Sequence, residues 1–143
     1  MMDQRQMTKD QGPMVRMRDY KKITAFQLAD QFVLETYRLT KRFPSEERFG
    51  LVTQVRRAAI SVPANIAEGA SRQHKRDYLN FLYIARASLV EAEYLLGLGT
   101  RLGYLTRQEF EIVDQIRQNA AKTLYGLISV VEREARLDVN REL

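Results

Sequence analysis

Five cations gather in one stretch of the chain: Arg56, Arg57, Arg72, Lys75 and Arg76, with Lys41, Arg42 and Arg86 behind them. Arginine and lysine hold phosphates by charge, and arginine adds a fork of N–H donors. The set is therefore a candidate nucleic-acid-binding surface. The charge excess is local. Residues 41–76 carry eight basic and three acidic side chains, and residues 1–22 carry six and three, within a total of 23 basic, 18 acidic and a net +5. Localised positive charge attracts polyanions. The competing reading is a solubilising surface in which Arg57 pairs with Glu68, Glu91 or Glu93 and the rest are solvated.

A second polar pattern runs through the same stretch. Gln54, Arg57, Ser61, Asn65, Glu68 and Arg72 are spaced by three or four residues, which puts them on one side of a helix. Such a line is either a solvent face or a hydrogen-bonded seam between helices or subunits. We read Gln54, Ser61, Asn65 and Glu68 as a structural seam, with Glu68 and Arg72 forming an i,i+4 ion pair.

Catalytic chemistry finds little support. The chain has no cysteine and a single histidine, His74. That excludes thiolate chemistry and any His-rich metal cluster. No Glu-x-x-His pair is present for a di-metal bundle site. Ser71 and His74 stand one turn apart, but nothing supplies an orienting acid or an oxyanion hole. No Gly-rich phosphate loop follows a strand. The expectation is a non-enzyme with no metal and no cofactor.

The elements that must position these residues are helical almost throughout. Length and composition fit one globular domain, with 45% apolar and 29% charged residues in 143. Residues 1–18 read as a disordered tail, 19–137 as the domain and 138–143 as a frayed end. No run is long and apolar enough to span a membrane, and the expected location is the cytoplasm. A first helix starts at Thr24, boxed by Gln27, and stops at Phe43-Pro44. Ser45 is the expected N-cap of a second helix over 46–70, bent at Pro63. A third covers 73–102 and ends at Gly103 in a left-handed turn. Thr106 and Glu109 box the start of a fourth, which runs to about Ala135. Short connections make this an all-α, antiparallel up-down four-helix bundle.

The segment from Arg38 to Leu96 resembles the 23S rRNA-intervening-sequence protein family. The resemblance rests on Phe43-Pro44-x-x-Glu47-Arg48-Phe49-Gly50-Leu51, on Gln54-x-Arg56-Arg57-Ala58-Ala59, and on Ser61-Val62-Pro63-Ala64-Asn65-Ile66-Ala67-Glu68-Gly69. A looser piece runs from Tyr78 to Leu89. Two departures stand out. Phe26 replaces the usual tryptophan, and Gln73 and Arg76 replace the usual serine and acidic residue that would cap the third helix. The resemblance implies an up-down bundle that assembles as a ring-like homopentamer, with no known enzymatic activity. Related retroelement accessory proteins imply two partners, RNA or DNA and a reverse transcriptase.

Two further features bear on partners. Ile60, Leu79, Ile84 and Leu95 lie outside the inner stripes and either form an intersubunit face or close the bundle's flanks. The aromatic residues, Phe49, Tyr94 and Tyr125 among them, mostly match core or interface spacing, with Tyr78 and Tyr83 the candidates for base stacking. A protein-interaction scaffold with no nucleic-acid binding is the alternative to the polyanion reading.

Overall fold

The computed structural model describes residues 18–142. The tail expected over 1–18 falls, Arg18 aside, outside the described residues. Four helices account for most of the rest: α1 (Thr24–Thr40), α2 (Leu51–Ala70), α3 (Lys75–Arg101) and α4 (Arg107–Glu142). Short 3-10 turns over Tyr20–Lys22 and Ser45–Glu47 precede α1 and α2, and no strand occurs among the described residues. Each helix packs on its chain neighbours, and α1 closes against α4. The result is an all-α up-down four-helix bundle.

The apolar stripes read from the sequence fill its centre. Phe32 and Leu39 of α1, Val55, Val62 and Ile66 of α2, Leu82, Leu89 and Leu96 of α3, and Leu124 and Ile128 of α4 are all buried. Each such side chain contributes roughly 1.5–3 kcal/mol by leaving water. Leu79 and Leu95 are buried as well and close the flank of α3, whereas Ile60 and Ile84 are exposed.

Helix ends show where local chemistry decided. Gly103 takes φ +84°. The Tyr104 N–H reaches the Gly99 carbonyl at 2.9 Å and the Gly103 N–H reaches Thr100 at 3.0 Å, which closes α3 in a Schellman turn. The Thr106–Glu109 box forms in both directions, at 2.9 and 3.1 Å. Two expected caps do not form. Ser45 sits in the 3-10 turn instead, and α2 starts five residues after the expected Glu46. There the Glu47 carboxylate accepts the Leu51 N–H at 3.1 Å. Gln27 turns away from Thr24 and donates to the Lys21 carbonyl at 2.9 Å, because the chain before α1 winds back as a turn within its reach. The start of α3 at His74 has no side-chain cap, in line with the Gln73 and Arg76 departures.

α2 passes unbroken through buried Pro63. Near it, Asn65 Nδ2 donates to the Ser61 carbonyl at 2.7 Å and lies 2.9 Å from Ser61 Oγ. Ser88 Oγ of α3 lies within hydrogen-bond reach of Ser61 Oγ at 2.8 Å and of the Ile84 carbonyl at 2.9 Å. The apolar contact between α2 and α3 thus includes a small neutral polar cluster. Gly69 lets the same two helices approach: a Cβ there would stand 2.9 Å from Phe81 Cβ and 2.9 Å from Tyr78 Cδ1. Gly99 does the same for Phe43 Cζ at 3.0 Å. Gly97, with nothing near it, has no such role.

The contact between α3 and α4 carries charge beside its apolar core. Arg117, buried, donates from Nε to Asp114 at 2.6 Å and from Nη2 to Glu93 at 2.9 Å. α4 continues helically to Glu142, past the end expected near Ala135. Lys75 pairs with Asp138 at 3.3 Å and Glu134 at 3.8 Å, tying this extension to the start of α3.

Candidate nucleic-acid interface

The bundle has two ends. One holds the α1–α2 and α3–α4 connections, and the other holds the α2–α3 bend with the start of α1 and the end of α4. Arg72, Lys75 and Arg76 flank that bend, as their positions in sequence require. Arg57 lies on α2 13 residues before its last residue, Ala70, so about 20 Å of helical rise separates it from the bend. Arg57, Arg72 and Arg76 are all exposed.

Their partners differ. Arg72 pairs with Glu68 at 2.9 Å, an exposed i,i+4 pair, and its guanidinium lies over the Phe81 ring. Glu93 is taken by Arg117, and Glu68 by Arg72, so neither neutralises Arg57. Arg57 and Arg76 have no ion pair among the described residues. Arg42 is held by Glu109 across the opposite end.

Two members of the set leave the stripe. Lys75 turns toward α4 and its two carboxylates. Arg56, half-buried, turns toward α1, where its Nε donates to Thr40 Oγ1 at 2.9 Å and its guanidinium lies 4.4 Å from the centre of the Tyr37 ring. One residue rotates a helix by about 100°, so Arg56 turns to Thr40 and Tyr37 while Arg57 stays exposed on the same groove. Of the polar line, Ser61 and Asn65 enter the α2–α3 cluster, Glu68 sits in its exposed pair, and Gln54 faces solvent. The sequence reading missed Ser88, whose role depends on a partner helix.

The stacking candidates also redistribute. Tyr78 is buried, with Arg18 over its ring at 4.5 Å, so it offers no free face. Burial pushes its hydroxyl above the ordinary tyrosine value, an effect Arg18 opposes. Tyr83 is half-buried and donates to Glu132 at 3.2 Å; desolvation first and this hydrogen bond second raise its hydroxyl too. The rings of Phe49, Tyr94 and Tyr125 are instead exposed, correcting the core expectation for them. Each carries an arginine near its face: Arg48, Arg101 and Arg86 respectively.

Two grooves border these residues. One, of about 740 Å³, lies between the start of α3 and the end of α4 and mixes both signs, with Lys75, Arg76 and Arg136 against Asp77, Glu132 and Asp138. The other, of about 540 Å³, lies between α1 and α2 beside Arg56 and Arg57. Among the described residues no group of three or more His, Cys, Asp or Glu side chains is placed to hold a metal ion. No described helix is long and apolar enough to cross a membrane.

Comparison with known proteins agrees with this architecture. A crystal structure from Bacteroides thetaiotaomicron, of a protein with unknown function from the S23 ribosomal protein family, superposes with a TM-score of 0.68 at 29% identity. The match covers 73% of this chain and 98% of that one. No curated protein matches the chain. The family model for the 23S rRNA-intervening sequence protein matches residues 21–126, most of the chain. The chain therefore belongs to the 23S rRNA-intervening sequence protein family.

Proposed function

We propose that this is a non-enzymatic, homo-oligomeric cytoplasmic protein that binds RNA or another nucleic acid through the outward side of α2 and the α2–α3 bend. The observation that carries the reading is that Arg57 and Arg76 are exposed with no ion pair among the described residues, Arg76 beside Arg72 at the bend and Arg57 further back along α2. Exposed cations outside ion pairs keep their charge for a polyanion, and the surrounding segment is the most basic in the chain. A homopentamer, as the family resemblance implies, repeats this surface around a ring. A reverse transcriptase is the protein partner that fits the same resemblance.

One observation favours the scaffold reading instead. Ile60, Ile84, Val90 and Tyr94 are exposed on α2 and α3 and offer apolar surface to a second protein or subunit.

Fluorescence anisotropy with a labelled RNA oligomer across a salt series tests the first reading. Three phosphate contacts on a single strand give a slope of log K against log salt of about −2. Arg57→Glu combined with Arg76→Glu removes binding and leaves the helical circular dichroism unchanged. Binding that survives both the salt and the reversed charges selects the scaffold reading.

A further inference from the structure

The groove between α1 and α2 is lined by Tyr37, Thr53, Arg56, Arg57, Ile60 and Ser61. Arg56 is held there by two contacts that are not carboxylates. Thr40 is buried, and its hydroxyl proton goes to the Thr36 carbonyl at 2.8 Å. A lone pair of the same oxygen accepts the Arg56 Nε–H at 2.9 Å. The Tyr37 ring supports the guanidinium from one side at 4.4 Å. Nε is therefore occupied, and the Nη1 and Nη2 edge is the one left to bind. No carboxylate among the described residues pairs with Arg56, although the side chain is half-buried. A partly desolvated cation without a counter-ion favours an anion beside it. Its fixed fork suits the paired oxygens of a phosphate. Arg57, next in sequence and also unpaired among the described residues, lines the same groove.

We infer that this groove is a phosphate clamp, in which Arg56 is the pre-oriented fork, Arg57 the second charge and Thr40 the positioning residue. Ile60 and the edge of Tyr37 leave an apolar floor for whatever the phosphate is attached to. The inference deepens the nucleic-acid reading and rests on it for the source of the phosphate as a strand backbone; free phosphate is the other source of the same chemistry.

Substitutions that conserve charge separate a clamp from a diffuse basic surface. A surface acting by charge alone is indifferent to Arg→Lys, whereas a fork is not. With a labelled oligouridylate, Arg56→Lys weakens binding about tenfold, as expected from losing one charged hydrogen bond. Thr40→Val weakens it several-fold by releasing Nε, and Arg57→Lys changes it less than twofold. Circular dichroism checks that Thr40→Val still folds; if it does not, Arg56→Lys alone carries the test. Inorganic phosphate, titrated by calorimetry into the parent and into Arg56→Lys, identifies the source. Loss of phosphate binding in the variant assigns a site for free phosphate, and an effect confined to the oligomer assigns a backbone site. If Arg56→Lys binds both probes like the parent while the Arg57→Glu, Arg76→Glu protein loses the oligomer, the clamp is overturned and the basic surface stands. If the charge reversals leave oligomer binding intact and phosphate does not bind the parent, both readings fall.

Discussion

The two ends of this bundle are built on opposite terms. At the end holding the α1–α2 and α3–α4 connections, each connection has a local closure. Phe43 packs against Gly99 and meets Tyr104 with ring centres 5.3 Å apart. Gly103 closes α3, Thr106 and Glu109 open α4, Glu47 caps α2, and Arg42 reaches Glu109 across the gap. At the α2–α3 bend, α3 starts at His74 without a side-chain cap, and Arg76 carries no ion pair among the described residues. The Arg72–Glu68 pair there is exposed on both sides and worth little. The contrast teaches that one end is closed by caps and turns within a few residues of each helix terminus, while the bend is held by longer-range pairs such as Lys75 with Glu134 and Asp138 and leaves Arg76 outside any ion pair among the described residues.

The largest expected effect tests the closed end. Phe43→Ala empties a buried aromatic site between two connections, and chemical denaturation should report a loss of about 3–4 kcal/mol. A loss below about 1 kcal/mol would show that this end is less organised than its contacts suggest. Next comes a matched pair of carboxylates, one from each end. Glu109→Ala removes half of a capping box together with the Arg42 contact and should cost about 1 kcal/mol. Glu68→Ala at the open end should cost less than about 0.5 kcal/mol. Equal costs would erase the contrast.

The smallest effect is a dependence on pH that differs between the ends. Glu35, in the last turns of α1, is held below its ordinary value of 4.5, first by its hydrogen bond from Arg38 and against the effect of burial. A depressed folded value makes its contribution complete above 4.5 and lost as pH falls through the folded value. Tyr78 and Tyr83, in the half of α3 nearer the bend, are raised above 10.0. Their contribution is complete below 10.0 and lost as pH rises through the folded values. Residue-resolved NMR melting should therefore show the closed end loosening first in acid and the bend loosening first in alkali. Tyr83→Phe should remove part of the alkaline effect only.

Local signals were legible in the sequence, and contacts between elements were not. Gly103, Thr106 and Glu109 announce their turns because the chemistry lies within a few residues. The helical periods of α1 to α4 name most of the buried residues for the same reason. Ser45 misled because a serine before two glutamates looks the same whether an α-helix or a 3-10 turn follows. Arg56 and Arg57 are adjacent and chemically identical, so no pattern tells which one turns to Thr40. Arg117 sits among polar neighbours and Ser88 between an alanine and a leucine, and their roles come from α3 and α2 respectively. Phe49, Tyr94 and Tyr125 fit an apolar period yet lie outside, since a period marks a face without saying whether another element covers it.

Gly69 and Gly99 have a joint consequence. Gly69, on α2, accepts rings from α3 near the bend, and Gly99, on α3, accepts the Phe43 ring and Leu51 at the far end. The notches therefore sit at opposite ends of one helical pair, one cut into each member. Sliding α2 along α3 by a single residue, about 1.5 Å, would bring a β-carbon toward the Tyr78 ring near the bend and, if the connection before α2 moved with it, toward the Phe43 ring at the far end. The pair is keyed at two points, and its alignment is fixed by the absence of two side chains.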